Sequence, residues 1–91
     1  MNESSFDYSL FSCFNLSISS NIAEGSGRLS NKEYQRYLSI SLGSAFELET
    51  QILICKGIGY LSESDAGEMI DLITEIQKML HSLHRRLSKN T

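Results

Sequence analysis

The 91-residue chain contains no proline. Helix interiors are therefore free of the residue that most reliably breaks them, and any stops must come from glycine. Cysteine is scarce too: Cys13 and Cys55 stand alone, without C-x-x-C spacing or a secretory context. That excludes a disulfide framework and a zinc ribbon, and both thiols are expected to be buried and free. The N-terminus lacks the basic start and continuous apolar stretch of a secretory signal, and no uninterrupted apolar run reaches the roughly 20 residues of a bilayer span. The expectation is a cytoplasmic protein with no membrane partner. Net charge is −3, which excludes a generally basic nucleic-acid coat but leaves the distribution of charge open. A hydrophobic content of 41% in 91 residues fits one domain spanning residues 1–91, of a size at which association with other chains commonly completes a core.

Helical periodicity covers most of the length. Ser30-Asn31-Lys32-Glu33 has the S-x-x-E form of a capping box, in which serine oxygen and glutamate carboxylate each take up an unpaired N–H of the first turn. A helix over 31–56 follows, with Tyr34, Tyr37, Leu38, Leu42, Ala45, Leu48, Ile52 and Cys55 stepping by three or four. Gly57 and Gly59 supply a left-handed terminus. Ile40, Phe46, Leu53 and Ile54 fall off that stripe, so this helix is expected to contact more than one neighbour. Ser62 caps a last helix over 63–88, with Glu63, Asp65 and Glu68 toward its start and Arg85, Arg86 and Lys89 toward its end, complementing the helix dipole. Between them Ala66, Ile73, Leu80 and Leu87 alternate with Met69, Ile76 and Leu83 in a seven-residue seam that Ile70, Leu72 and Met79 widen.

The N-terminal third is ambiguous. Phe14 to Ser19 alternates like a half-buried strand, while Phe11, Phe14, Ile18 and Ile22 step like a helix that Gly25 would end. A lone strand has nothing to pair with in a helical chain, so a helix over 10–24 is expected, behind an irregular stretch over 1–9. The fold expected is an all-α, antiparallel up-and-down helical bundle of three helices.

Two strings are more distinctive than the periodicity around them: S-N-I-A-E-G-S-G-R from Ser20 to Arg28, and K-E-Y-Q-R-Y-L-S-I-S-L-G-S-A-F-E-L-E-T-Q-I-L from Lys32 to Leu53, followed by K-G-I-G-Y-L. Over about residues 17–87 the chain resembles the four-helix-bundle family of 23S rRNA intervening-sequence proteins. The resemblance implies an up-and-down bundle that forms rings, typically pentamers, without established enzymatic activity, so a homo-oligomeric partner of its own kind is expected. A related branch, the accessory variability proteins of diversity-generating retroelements, implies contact with nucleic acid through a basic surface. The family opens with a helix for which only residues 1–9 are available here, so one helix of the four-helix unit is expected to be short or missing.

Topology gives the charges a place. A hairpin of the last two helices sets the end of one beside the start of the other. Arg28, Lys32 and Arg36 then share a pole with Arg85, Arg86 and Lys89, six basic residues against Glu24 and Glu33. Glu47, Glu49, Glu63, Asp65, Glu68 and Asp71 gather at the other. Such a basic end can contact RNA or DNA phosphates through salt-dependent attraction, although dipole compensation and solubility account for basic residues at a helix end as well. Asn21, Glu24, Glu47 and Glu49 are the polar residues within the distinctive strings, expected in a buried polar network or at an interface.

Nothing here forms a catalytic, cofactor or metal site. A di-iron bundle needs Glu-x-x-His pairs, and none occurs. His81 and His84 lack an acidic neighbour suited to ligation, and Gly25-Ser26-Gly27 lacks the G-K-[ST] of a phosphate loop. No serine sits in a G-x-S-x-G turn. The expectation is a non-enzymatic assembly or interaction module, with nucleic-acid binding at the basic pole as the alternative.

Overall fold

A computed structural model describes residues 9–28 and 30–89, in three helices: α1 (Ser9–Ser26), α2 (Asn31–Gly57) and α3 (Glu63–Lys89). The described residues contain no strand, so the chain is all-α. The irregular stretch expected over residues 1–9 falls, except for Ser9, outside the described residues.

α1 forms although it contains six serines, four of them in its interior. Their hydroxyls turn back onto the helix: Ser19 Oγ donates to the Asn15 carbonyl at 2.9 Å, Ser20 Oγ donates to the Leu16 carbonyl, and the Asn21 amide donates to the Ser17 carbonyl at 2.7 Å. Bonds of this kind satisfy a polar side chain without breaking the helix. Phe11 and Ile18 are buried and Phe14 and Ile22 partly so, which settles the periodicity in favour of the helix. Gly25 does not end it. α1 continues to Ser26 because Gly25 is buried against α2, where a Cβ would lie 2.8 Å from Tyr37 Cβ. The glycine permits close approach rather than a turn.

Ser30 caps α2, its Oγ accepting from the Glu33 N–H at 3.1 Å. The Glu33 carboxylate faces Arg36 at 3.2 Å, so the serine half of the expected capping box is what the structure carries. At the other end, the Tyr60 N–H donates to the Cys55 carbonyl at 2.8 Å and the Gly59 N–H to the Lys56 carbonyl at 3.2 Å. With Gly59 at φ +84°, this is a Schellman stop. Ser62 then caps α3 by accepting from the Asp65 N–H at 3.0 Å.

α2 is the central element. Leu38, Ala45, Leu48, Ile52 and Cys55 are buried along its stripe, joined by Ser41 and Ser44. The pairing with α1 runs in opposite order along the two helices: Gly25 meets Tyr34 and Tyr37, Ser41 Oγ donates to the Ile18 carbonyl at 2.9 Å, and Ser17 and Ser44 share a 2.8 Å hydroxyl bond. The same holds for α3, where the Gln35 amide reaches the His84 carbonyl at 3.1 Å and Gln77 donates to Glu49 at 2.9 Å. By length and composition α2 could cross a bilayer, although Glu47 and Glu49 interrupt its apolar run, and it lies between the other two helices. Cys55 is buried as expected, but Cys13 is exposed, because it lies on the side of α1 turned from α2.

The backbones of α1 and α3 both lie beside α2 and never within 8 Å of each other. Their side chains meet above it, where Phe11, Ile18, Leu48, Ile52 and Ile73 form the core. Each fully buried aliphatic side chain there contributes about 1.5–3 kcal/mol. The described residues thus fill three corners of a four-helix square. A groove of about 270 Å³ marks the fourth, floored by Leu48 and Ile52 and edged by Phe11 and Asn15 on one side and Met69, Leu72 and Ile76 on the other. The radius of gyration, 15.1 Å, exceeds the roughly 12 Å of a compact chain of this length.

Candidate functional site

The basic pole is built by the contact between the start of α2 and the end of α3. Gln35 makes that join, its amide donating to the His84 carbonyl at 3.1 Å and to the Ser88 hydroxyl. Two shallow depressions adjoin there and share His84. One is lined by Lys32, Glu33, Gln35, Arg36 and Ser39, the other by Lys78, His81 and Arg85. Lys78 is a member that sequence reading missed. It stands about two turns before Arg85, on the same face of α3, and both line the depression beside His84.

Arg28 is drawn in from the end of α1. Its guanidinium lies 5.0 Å from the centre of the Tyr37 ring, as does that of Arg36, so the two cations flank one aromatic ring. Arg28 also donates to the Tyr37 hydroxyl at 2.9 Å. Two of the six expected cations are compensated by exposed ion pairs, Arg28 with Glu24 at 3.5 Å and Arg36 with Glu33 at 3.2 Å. Each such pair contributes at most about 0.5 kcal/mol. Among the described residues Lys32, Arg85, Arg86 and Lys89 have no carboxylate within ion-pair distance, and all four are exposed. Arg86 and Lys89 occupy the closing turns of α3 but line neither depression. The arrangement presents these cations in open, solvent-exposed geometry.

The four polar residues of the distinctive strings do not come together. Asn21 is half-buried and joins Ser17, which in turn bonds Ser44. Glu49 is half-buried and accepts from Gln77 of α3, while Glu24 and Glu47 are exposed. Asn21 and Glu49 thus take part in two separate cross-helix links, one on each side of α2. Their partners Ser17, Ser44 and Gln77 were not singled out as site residues from sequence, nor was Ser41, which bonds the Ile18 carbonyl. Ser41 and Ser44 sit three apart in step with Leu38, Ala45 and Leu48, and that spacing was the available signal.

A second surface is apolar. Leu72 is 68% and Met79 67% exposed on α3, and Phe46, Leu53, Ile54 and Ile58 are also exposed on α2 and its terminus. Phe46 meets His81 edge to face at 6.4 Å, which places that histidine beside an aromatic ring. No group of three or more metal-ligating side chains occurs among the described residues.

No curated protein matches the chain, and no solved structure does. The sequence model of the 23S rRNA-intervening sequence protein family does match, over residues 14–82, which takes in most of α1, all of α2 and the greater part of α3. With more than half its length aligned, the chain belongs to the 23S rRNA-intervening sequence protein family.

Proposed function

We propose that this chain is a non-enzymatic helical module that works by assembling with copies of itself. The observation that supports the reading is the groove at the open corner together with the two-thirds exposure of Leu72 and Met79. Exposed apolar side chains gathered beside a groove, rather than scattered singly, support an interaction site. The mass in solution, measured by sedimentation across a hundredfold range of concentration, tests the idea. An oligomer that dissociates on dilution is expected, and a folded monomer throughout would sink it. The same mass separates a five-membered ring from a smaller assembly.

A second reading is favoured by the basic pole, where Lys32, Lys78 and Arg85 converge around His84 without compensating carboxylates. Such a surface supports sequence-independent attraction to RNA or DNA backbones. Binding to a mixed-sequence RNA should weaken steeply with salt, and Lys32→Gln or Arg85→Gln should each lower the slope of log affinity against log salt by about 1. Affinity indifferent to salt and to both substitutions would exclude this pole.

A further inference from the structure

His84 is the residue that the two depressions of the basic pole have in common. Its backbone carbonyl accepts the Gln35 amide at 3.1 Å, which holds this turn of α3 on α2 and fixes where the imidazole stands. The ring itself is unengaged. Among the described residues neither of its nitrogens has a hydrogen bond or an ion pair, so no structural partner explains a histidine at this position. His84 is half-buried, yet it lines both depressions and is open to a ligand in either.

Its surroundings are charged. From α2 the first depression brings Lys32, Glu33 and Arg36; from α3 the second brings Lys78, Arg85 and His81, whose ring meets Phe46 edge to face at 6.4 Å. Arg28 of α1 is engaged with Tyr37 and Glu24 and lines neither. Glu33 is the one acid among these lining residues, and Arg36 holds it at 3.2 Å. Lysine and arginine keep their charge throughout the neutral range, whereas histidine changes its charge between about pH 5 and 8. Charging both histidines takes the lining of the two depressions from three net positive charges to five.

We infer that His84 is a phosphate-contacting residue of this pole that takes up a proton on binding, so that the hold on a nucleic-acid backbone tightens as pH falls. This role rests on the reading of the pole as a nucleic-acid surface and supplies its regulation. A phosphate oxygen set against an imidazole favours the protonated ring, in which both nitrogens donate. Binding and protonation then promote each other by the same factor. With Lys32 and Arg36 on one side and Lys78 and Arg85 on the other, a backbone that follows the cations passes across the ring. The switchable charge lies in the middle of that path.

Affinity of the full chain for a mixed-sequence RNA, measured by fluorescence anisotropy at constant ionic strength at about pH 6 and about pH 8, either side of the ordinary histidine value, tests the assignment. Wild type is expected to bind at least threefold more tightly at the lower pH, with the slope of log affinity against log salt steeper by about 1. His84→Gln should lose most of the difference, and His84→Lys, which carries the charge permanently, should bind tightly at both. Circular dichroism checks that both variants keep their helices. Calorimetry on wild type in two buffers of different ionisation heat should show protons taken up on binding. A pH dependence that survives His84→Gln and disappears with His81→Gln would overturn the assignment. Binding that weakens with salt and with Lys32→Gln but ignores pH would overturn the proton-linked role and leave the nucleic-acid surface standing. No binding at either pH would overturn both.

Discussion

Gly25 of α1 and Tyr37 of α2 approach so closely that a Cβ on the glycine would stand 2.8 Å from the Cβ of the tyrosine, with the Tyr34 ring equally near. The contact fixes how tightly α1 lies on α2. It also carries Arg28 to the Tyr37 hydroxyl, so the packing of one methylene-sized gap sets the position of a basic-pole residue. Gly25→Ala must push the helices apart, because a Cβ cannot swing away as a flexible side-chain end can. Overpacking of this kind costs about 1–3 kcal/mol, against which the better helix propensity of alanine returns less than about 1 kcal/mol. A net loss of about 1–2 kcal/mol is expected in urea unfolding. Gly43, inside α2 with open space where its Cβ would go, provides the contrast: Gly43→Ala should gain about 0.5–1 kcal/mol. Equal effects at the two sites would refute the close approach.

Ser41 is fully buried and donates to the Ile18 carbonyl of the neighbouring helix at 2.9 Å. The acceptor is a helical carbonyl with its own ladder partner, so removing the hydroxyl strands no buried group completely. Ser41→Ala should therefore cost about 1 kcal/mol, the net worth of one such bond. Ser41→Leu, which forces three further carbons into a filled space, should cost more than about 2 kcal/mol. Thermal unfolding of both variants measures the order, and a leucine variant as stable as wild type would show that the site is not packed.

Gln77 is buried on α3 and donates to Glu49 at 2.9 Å. Gln77→Glu replaces the donor with a second carboxyl facing the first. Like charges at that distance raise the pKa of the pair, so protonation becomes easier in the folded protein than in the unfolded one. The sign follows from linkage: a raised folded pKa means stability is retained at low pH and is lost as pH climbs above about 4.3, the ordinary glutamate value. The variant should match wild type near pH 4 and fall below it by more than about 1 kcal/mol at pH 7. A difference constant across that range would mean the two side chains do not face each other.

Gly59 holds φ +84° at the end of α2, where the Tyr60 and Gly59 amides close onto Cys55 and Lys56. Only glycine adopts this region without a steric penalty, so Gly59→Ala should cost about 1–2 kcal/mol despite open space around the site. Gly57 lies in regular helix with equal room, and Gly57→Ala should be neutral or mildly stabilising. Chemical denaturation of the pair separates a conformational from a packing role.

The sequence by itself determined the elements. Ser30 and Ser62 as caps, Gly59 as a stop and the three- and four-residue spacing of Leu38, Ala45, Leu48 and Ile52 are local signals, decided within a turn or two of backbone. The distinctive strings around Glu24 and Glu47 were sufficient to indicate the family. What the tertiary structure decided was everything that depends on a second helix. Gly25 reads as a stop until the Tyr37 side chain is seen beside the place of its missing Cβ, and the cross-helix bonds of Ser41 and Ser44 require α1, as that of Gln77 requires Glu49 of α2. Cys13 reads as core until α1 is rotated to its final setting. Periodicity fixes which residues share a face of a helix, but the direction in which that face points is set by the neighbour it packs against. That is why the open corner beside Leu72 is visible only in three dimensions.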